Sequence, residues 1–251
     1  MIILKTAAEL ERMRRAGEVT ARALARVAET IRPGITTREL DRVAEEAIRA
    51  AGGIPAFKGY RGYPASICAS VNEVVIHGIP GDRRLEEGDI ISIDIGAVVD
   101  GYYGDMARTY PVGAVSEQAR RLLEVTWEAL ERAIAAAQPG RRVSDISWAV
   151  QSYVEAHGFS VVRDFTGHGI GRQMHEDPSV PNYGRPGRGP RLEPGMVLAI
   201  EPMVTQGNPS VRVLGDGWTA VTADGSLAAH FEDTVAIRED GVEILTRPYG
   251  E

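Results

Sequence analysis

Leu85-Glu86-Glu87-Gly88-Asp89-Ile90-Ile91-Ser92-Ile93-Asp94 and Leu192-Glu193-Pro194-Gly195-Met196-Val197-Leu198-Ala199-Ile200-Glu201 read as two copies of one segment, 107 positions apart. Four of the ten aligned pairs are identical, and each copy runs through strand-forming residues into a carboxylate. Pro33-Gly34 recurs as Pro139-Gly140, and Gly52 as Gly158, both at an offset of 106. His77-Gly78-Ile79 returns as His168-Gly169-Ile170 at an offset of 91. Matches in one order along a chain imply two similar halves, residues 1–111 and 112–251, within a single domain spanning 1–251.

Local signals divide the chain in the same way. Thr6-x-x-Glu9 is a capping box, in which each residue satisfies a free backbone N–H of the other at a helix start. Leu10, Met13, Gly17, Thr20, Leu24, Val27 and Ile31 then follow at three- and four-residue spacing, which predicts one packed face. Thr36-x-x-Glu39 opens a second helix ending near Gly52. In the second half Ser116 is expected to cap a helix carrying Leu123, Trp127, Leu130 and Ile134, stopped by Pro139. Ser144 is expected to cap the next, which ends near His157-Gly158, a histidine read as structural because a cation there favours the helix dipole. Each half thus reads helix, helix, then strands. That order favours α+β, with helices against a mainly antiparallel sheet. A doubly wound α/β fold is the alternative, and the hairpin signal Asp100-Gly101 counts against it.

Composition bounds the function. A chain of 251 residues, 43% hydrophobic and 25% charged, can bury a substantial core. A net charge of −7 argues against a nucleic-acid groove as the main business. One cysteine, Cys68, allows no intramolecular disulfide, which fits a reducing compartment. No stretch of 18 apolar residues occurs, and Met1–Leu4 is too short for a signal core, so a cytoplasmic, membrane-free protein is expected.

The hairpin is where chemistry enters. A two-residue turn at Asp100-Gly101 sets Val99 opposite Tyr102 and Gly96 opposite Asp105. Asp94 then projects from the same face as Asp105, as its diagonal neighbour. Two carboxylates converging on an isoleucine-rich strand repel one another unless a cation balances them. The repeat makes Glu201 the counterpart of Asp94. It makes Glu232, on a later strand, the counterpart of Asp105. His168, within Thr166-Gly167-His168-Gly169-Ile170-Gly171, adds a nitrogen. Singly, each such residue is more often a solvated surface group or a loop residue; the duplicated arrangement is what points to metal. Four carboxylates and one imidazole suit Mn, Fe, Co or Zn, in number enough for two ions.

These residues resemble those of the methionine aminopeptidases, specifically the short bacterial type I enzymes, over essentially the whole chain. The resemblance is carried by Gly62-Tyr63-Pro64, Cys68 through Pro80 (CASVNEVVIHGIP), Ile93-Asp94, Gly104-Asp105, Thr166 through Arg172 (TGHGIGR), His175-Glu176, Ala199-Ile200-Glu201-Pro202 and the strand around Glu232. It implies the pita-bread fold, two pseudo-symmetric halves with helices on a curved antiparallel sheet. It implies that Asp94, Asp105, His168, Glu201 and Glu232 hold two divalent metal ions, Asp105 and Glu232 bridging both. It implies that metal-activated hydroxide attacks the first peptide carbonyl, Glu201 moving the proton while His77 and His175 bind the substrate amide and the developing oxyanion. The methionine pocket falls on Tyr60, Tyr63, Cys68, Met174 and Trp218, with Phe57 nearby. The expected substrates are the N-termini of nascent polypeptides with a small second residue, met at the ribosome by a monomer.

Four positions depart from the pattern. Met174 stands where phenylalanine is common, and Phe57 where some members have cysteine. Gly96 replaces a threonine found in some bacterial members. His230 stands where glutamine is frequent, and is expected to support the metal from behind its ligands. Prolidases and aminopeptidase P share the five ligands but usually carry a further N-terminal domain, for which no room is expected before Pro33. A non-catalytic module on this fold would be expected to lose ligands, and all five are present.

Overall fold

The computed structural model describes residues 1–247; residues 248–251, the end of the second half, lie outside the described residues. Both threonine capping boxes form. Thr6 accepts from Glu9 N at 3.4 Å while Glu9 Oε2 accepts from Thr6 N at 2.9 Å, opening α1 (Ala7–Ala28). Thr36 and Glu39 do the same at 3.2 and 2.8 Å for α2 (Thr37–Ala50). Ser116 accepts from Ala119 N at 3.1 Å at the start of α3 (Glu117–Ala136). The fourth helix corrects the expectation. α4 (Val143–Ala156) starts before Ser144, because Asp145 Oδ2 accepts from Arg142 N at 2.8 Å and fixes Arg142 as the cap. Ser144 turns outward instead and accepts from Arg188 N at 2.6 Å. His157 ends this helix, its Nδ1 2.8 Å from Tyr153 O.

In the first half, β1 (Ile54–Pro55), β2 (Ile67–Val71), β3 (Val74–Ile76), β4 (Ile90–Val99) and β5 (Tyr102–Pro111) follow the helices. After α3 and α4 come β6 (Ser160–Val161), β7 (Gly167–Gly169), β8 (Glu176–Val180), β9 (Val197–Ile200) and β10 (Met203–Thr205). β11 (Val211–Val213), β12 (Ala220–Thr222), β13 (Ala228–His230), β14 (Asp233–Arg238) and β15 (Gly241–Ile244) complete the order. The strand pairs of the described residues run antiparallel. With helices and strands segregated in each half, the fold is α+β.

β4 and β5 form the expected hairpin, with Val99 opposite Tyr102 and Gly96 opposite Asp105. Asp100 and Gly101 take φ of 50° and 77°, both positive as the mirror-image hairpin turn requires. Alternation then separates the two faces of β4. Ile91, Ile93, Ile95 and Ala97 pack with Leu24, Leu40 and Ile48 of α1 and α2, leaving Asp94 and Gly96 on the other face.

In the second half β9 pairs with β14, Ile200 opposite Asp233, and with β7, Ala199 opposite His168. Glu201 and Glu232 therefore end neighbouring antiparallel strands, as Asp94 and Asp105 share theirs. They do not belong to a hairpin, however. The chain between them leaves the sheet to build β10 through β13 before returning.

The halves join along β5 and the segment 230–234. Ala107 and Glu232 exchange backbone hydrogen bonds, at 3.2 and 2.9 Å. Thr109 Oγ1 accepts from His230 N at 2.9 Å and donates to His230 O at 2.8 Å. Thr234 Oγ1 likewise accepts from Asp105 N at 3.1 Å and donates to Asp105 O at 2.7 Å. Two hydroxyls thus close main-chain gaps on either side of a single backbone bridge. No helix of the described residues is long and apolar enough to cross a membrane.

α1 lies directly on the hairpin because two glycines meet there. A Cβ on Gly104 would stand 2.7 Å from Ala16 C, and one on Gly17 would stand 2.1 Å from Leu245 O. Gly17→Ala is therefore expected to lower unfolding free energy by about 1–3 kcal/mol through overpacking, read by urea denaturation. An unchanged midpoint would mean that the helix can lift off its neighbours freely.

Candidate metal centre

The fold brings five residues from five separate stretches of chain to one point. Asp94 and Asp105 come from the hairpin, Glu201 and Glu232 from the ends of β9 and β14, and His168 from β7. All five are buried. His168 Nε2 lies 3.6 Å from Glu201 Oε1 and 3.8 Å from Asp105 Oδ2. On the far side of its ring Nδ1 sits 2.8 Å from Gly169 O. A carbonyl only accepts, so Nδ1 carries the proton and the Nε2 lone pair of the neutral ring points at the carboxylates.

Burial is expensive for such a group. It raises the carboxyl pKa values of Asp94, Glu201 and Glu232 well above the usual range, and the neighbouring carboxylates add to the rise. Asp105 is raised as well, by burial. His168 is pushed down to about 3, first by burial and then by His175. Among the described residues the ion-pair partners of these carboxylates are histidines, not Lys or Arg. Arg108, whose Nη1 donates to Glu232 O, pairs instead with Asp233 at 2.8 Å. Asp94 Oδ1, Asp105 Oδ1, Glu232 Oε1 and His230 Nε2 are buried without a hydrogen-bond partner. Donor atoms of Asp105, His168 and Glu232 lie within 4.8 Å of one another, as do those of Glu201, His230 and Glu232. Unpartnered, charge-rich and convergent, this set fits divalent cations of the oxygen- and nitrogen-preferring kind.

His230 lies beside the carboxylates and is buried with them. It was expected behind the ligands; its Nε2 lies 3.6 Å from both Glu201 Oε2 and Glu232 Oε2.

A cavity of about 150 Å³ opens over the carboxylates. Its walls include Tyr60, Tyr63, Cys68, Met174 and Trp218, and Phe57 with them. Tyr63 donates to Ile67 O at 2.9 Å or Gly78 O at 3.1 Å and meets Trp218 edge-on, ring centres 5.1 Å apart. Burial and the nearby Asp94 push the Cys68 thiol up, which keeps it a neutral wall rather than a nucleophile. His77 and His175 line the same cavity. Tyr60 OH lies 2.8 Å from His175 Nδ1, and the His175 ring centre is 4.2 Å from that of His168. His77 takes φ of 61°, a strained conformation for a residue with a Cβ. It is held between Phe165 and Trp218, with ring centres at 5.5 and 6.1 Å. Burial lowers its pKa to about 4, and burial with Arg61 lowers that of His175, so both are neutral at neutral pH.

Arg61, Ile76 and Phe165 belong to this neighbourhood without being singled out from sequence. Arg61 lies between Tyr60 and Gly62, and Phe165 precedes Thr166-Gly167-His168, so adjacency to the quoted motifs was the available signal. Two departures from the family pattern also explain each other. A Cβ on Gly96 would stand 2.9 Å from Phe57 Cε1 and 3.0 Å from Ala56 Cβ. The Phe57 ring fills the space in which a threonine at 96 would stand.

A sequence profile of metallopeptidase family M24 matches residues 11–239. The chain belongs to metallopeptidase family M24. It is 57% identical to methionine aminopeptidase 1 of Bacillus subtilis over 247 residues, covering 98% of this chain and all of that one. Among solved structures, the methionine aminopeptidase of Thermotoga maritima superposes with a TM-score of 0.98 at 51% identity, over 99% of this chain and 100% of that one. A prolidase from Pyrococcus furiosus matches at a TM-score of 0.81 and 28% identity, this chain spanning 98% of itself and 66% of that protein. These neighbours place the chain in the pita-bread fold and make it an enzyme of the aminopeptidase kind within the M24 family.

Raised carboxyl values stabilise the fold only while the groups stay protonated, and that contribution is lost as pH rises through their folded values. Lowered histidine values act the other way, below about pH 6.5. Between about pH 7 and about pH 8 the histidines are neutral folded or unfolded, so metal-free protein should melt at lower temperature as pH rises. Saturating divalent ion, or Asp94→Asn, should flatten the slope. A metal-free melting temperature that is constant or climbs over this range would contradict the assigned cluster.

Proposed function

We propose that this chain removes the initiator methionine from new polypeptides, with Asp94, Asp105, His168, Glu201 and Glu232 holding two divalent metal ions. The observation that carries the reading is the position of the buried carboxylate–imidazole cluster on the floor of a cavity walled by aromatic and sulfur-bearing side chains. Sulfur against ring edges suits a thioether side chain. The names of the relatives point the same way. Two ions there would supply Lewis acidity, a grip on the free amine, and a water acidified towards a pKa of about 7.

The protein's own groups do the rest. The cavity wall takes the methionine side chain, which sets the first peptide bond above the carboxylates. Glu201, made basic by burial and its neighbours, accepts the proton of the attacking water and returns it to the leaving amine. With Tyr60 donating to His175 Nδ1, the neutral ring of His175 carries its proton on Nε2 and can donate to the peptide carbonyl as negative charge develops. His77, clamped by Phe165 and Trp218, is a second such donor. A preorganised donor of this type is worth about 2.7–4 kcal/mol in the transition state. By likeness to the family, the second residue is small and the substrates are nascent chains met by a cytoplasmic monomer at the ribosome.

The two histidines of the repeat should fail differently. His168→Ala is expected to weaken metal binding in a metal titration. His77→Ala should keep the ions and lose turnover by about 10²–10³. Equal metal loss in both would put His77 among the ligands and overturn its role.

Substrate choice tests the reading itself. Met-Gly-Met-Met should be cleaved to release methionine by protein reconstituted with Mn, Fe, Co or Zn. Preferential hydrolysis of an Xaa-Pro peptide would replace methionine removal with the prolidase activity.

A further inference from the structure

His230 is 1% exposed, yet Nε2, one of its two polar ring atoms, has no hydrogen-bond partner. That nitrogen stands 3.6 Å from Glu201 Oε2 and 3.6 Å from Glu232 Oε2. Both distances exceed hydrogen-bond range. They are the separation of donors sharing an ion: atoms each about 2.1 Å from one cation lie about 3.4 Å apart at a tetrahedral angle. His168 shows the same relation to the other oxygen of Glu201, at 3.6 Å from Oε1. Glu201 thus has an imidazole nitrogen addressed to each of its oxygens.

We propose that His230 is a metal ligand in its own right, coordinating through Nε2 the ion that Glu201 and Glu232 share, so that this centre has six protein ligands, two of them imidazoles. The inference rests on the dinuclear reading above and sharpens its ligand set. Its main chain already belongs to the seam, where Thr109 takes both the N–H and the carbonyl, so the ring is left free to serve the ion. A second imidazole favours ions that accept nitrogen readily, Fe, Co and Zn, over Mn.

The test is X-ray absorption of the full chain reconstituted with Co(II), which counts imidazoles by their characteristic outer-atom scattering. Two imidazoles per chain are expected. His230→Gln should remove one, His168→Ala the other, and the Co-over-Mn preference in competition dialysis should fall in the first variant. Because the Thr109 bonds go to backbone atoms, His230→Gln keeps the seam, and an unchanged circular dichroism spectrum checks this. A single imidazole, abolished in His168→Ala and unaltered in His230→Gln, overturns the proposal while leaving the dinuclear reading intact. Absence of Co(II) binding by the unaltered chain would overturn both.

Discussion

Everything at this centre depends on Ala107 and Glu232 being held backbone to backbone. Asp105 and Asp94 belong to the first half of the chain, and Glu201, His168 and Glu232 to the second. β3 and β12 also pair across the halves, but beside the cluster the main-chain link is the Ala107–Glu232 bridge, extended by the hydroxyls of Thr109 and Thr234. A threonine hydroxyl both donates and accepts, so each can satisfy an N–H and a carbonyl that regular pairing leaves open. Carboxylates that repel are thereby fixed at close range by uncharged bonds.

A second arrangement keeps the positive charge of the protein out of the cluster. Asp233 follows Glu232 directly and is fully buried. It takes Arg108 at 2.8 Å, Arg247 at 2.6 Å and Thr246 Oγ1 at 2.8 Å. Both guanidiniums also lie over the Trp127 ring, at 4.9 and 4.6 Å. A buried carboxylate without such partners would be strongly destabilising. Here its satisfaction has a further effect: Arg108 and Arg247 are occupied, and among the described residues no Lys or Arg pairs with the carboxylates of the cluster. Their affinity for metal follows from what the neighbouring residue has already claimed.

Much of this could be read before any coordinates. Local chemistry was legible because its rules are short-ranged: Thr6 with Glu9, Thr36 with Glu39, and the Asp100-Gly101 turn whose register sets Asp94 beside Asp105. The repeat carried that reading to Glu201. What escaped lay in relations between distant stretches. Ser144 looked like a cap, but Asp145 one residue later offered the better acceptor for Arg142 N. The excursion through β10 to β13 between Glu201 and Glu232 leaves no trace in local pattern. His230 could be placed on a strand, yet its distance from two carboxylates depends on how β5 meets that strand. Phe165 and Arg61 fall in no pattern of the sequence that marks a site, and acquire meaning only beside His77 and His175.

The contact between Gly96 and Phe57 has a consequence for how this pocket could change over time. A hydroxyl-bearing side chain at 96 and an aromatic ring at 57 compete for one volume. Each position is free to vary only after the other has yielded, so a lineage moving between the two arrangements must shrink residue 57 before enlarging residue 96. The reverse order passes through a crowded intermediate within two residues of Asp94. Substitution at these sites is therefore ordered, and either arrangement reaches the other through an intermediate in which both side chains are small.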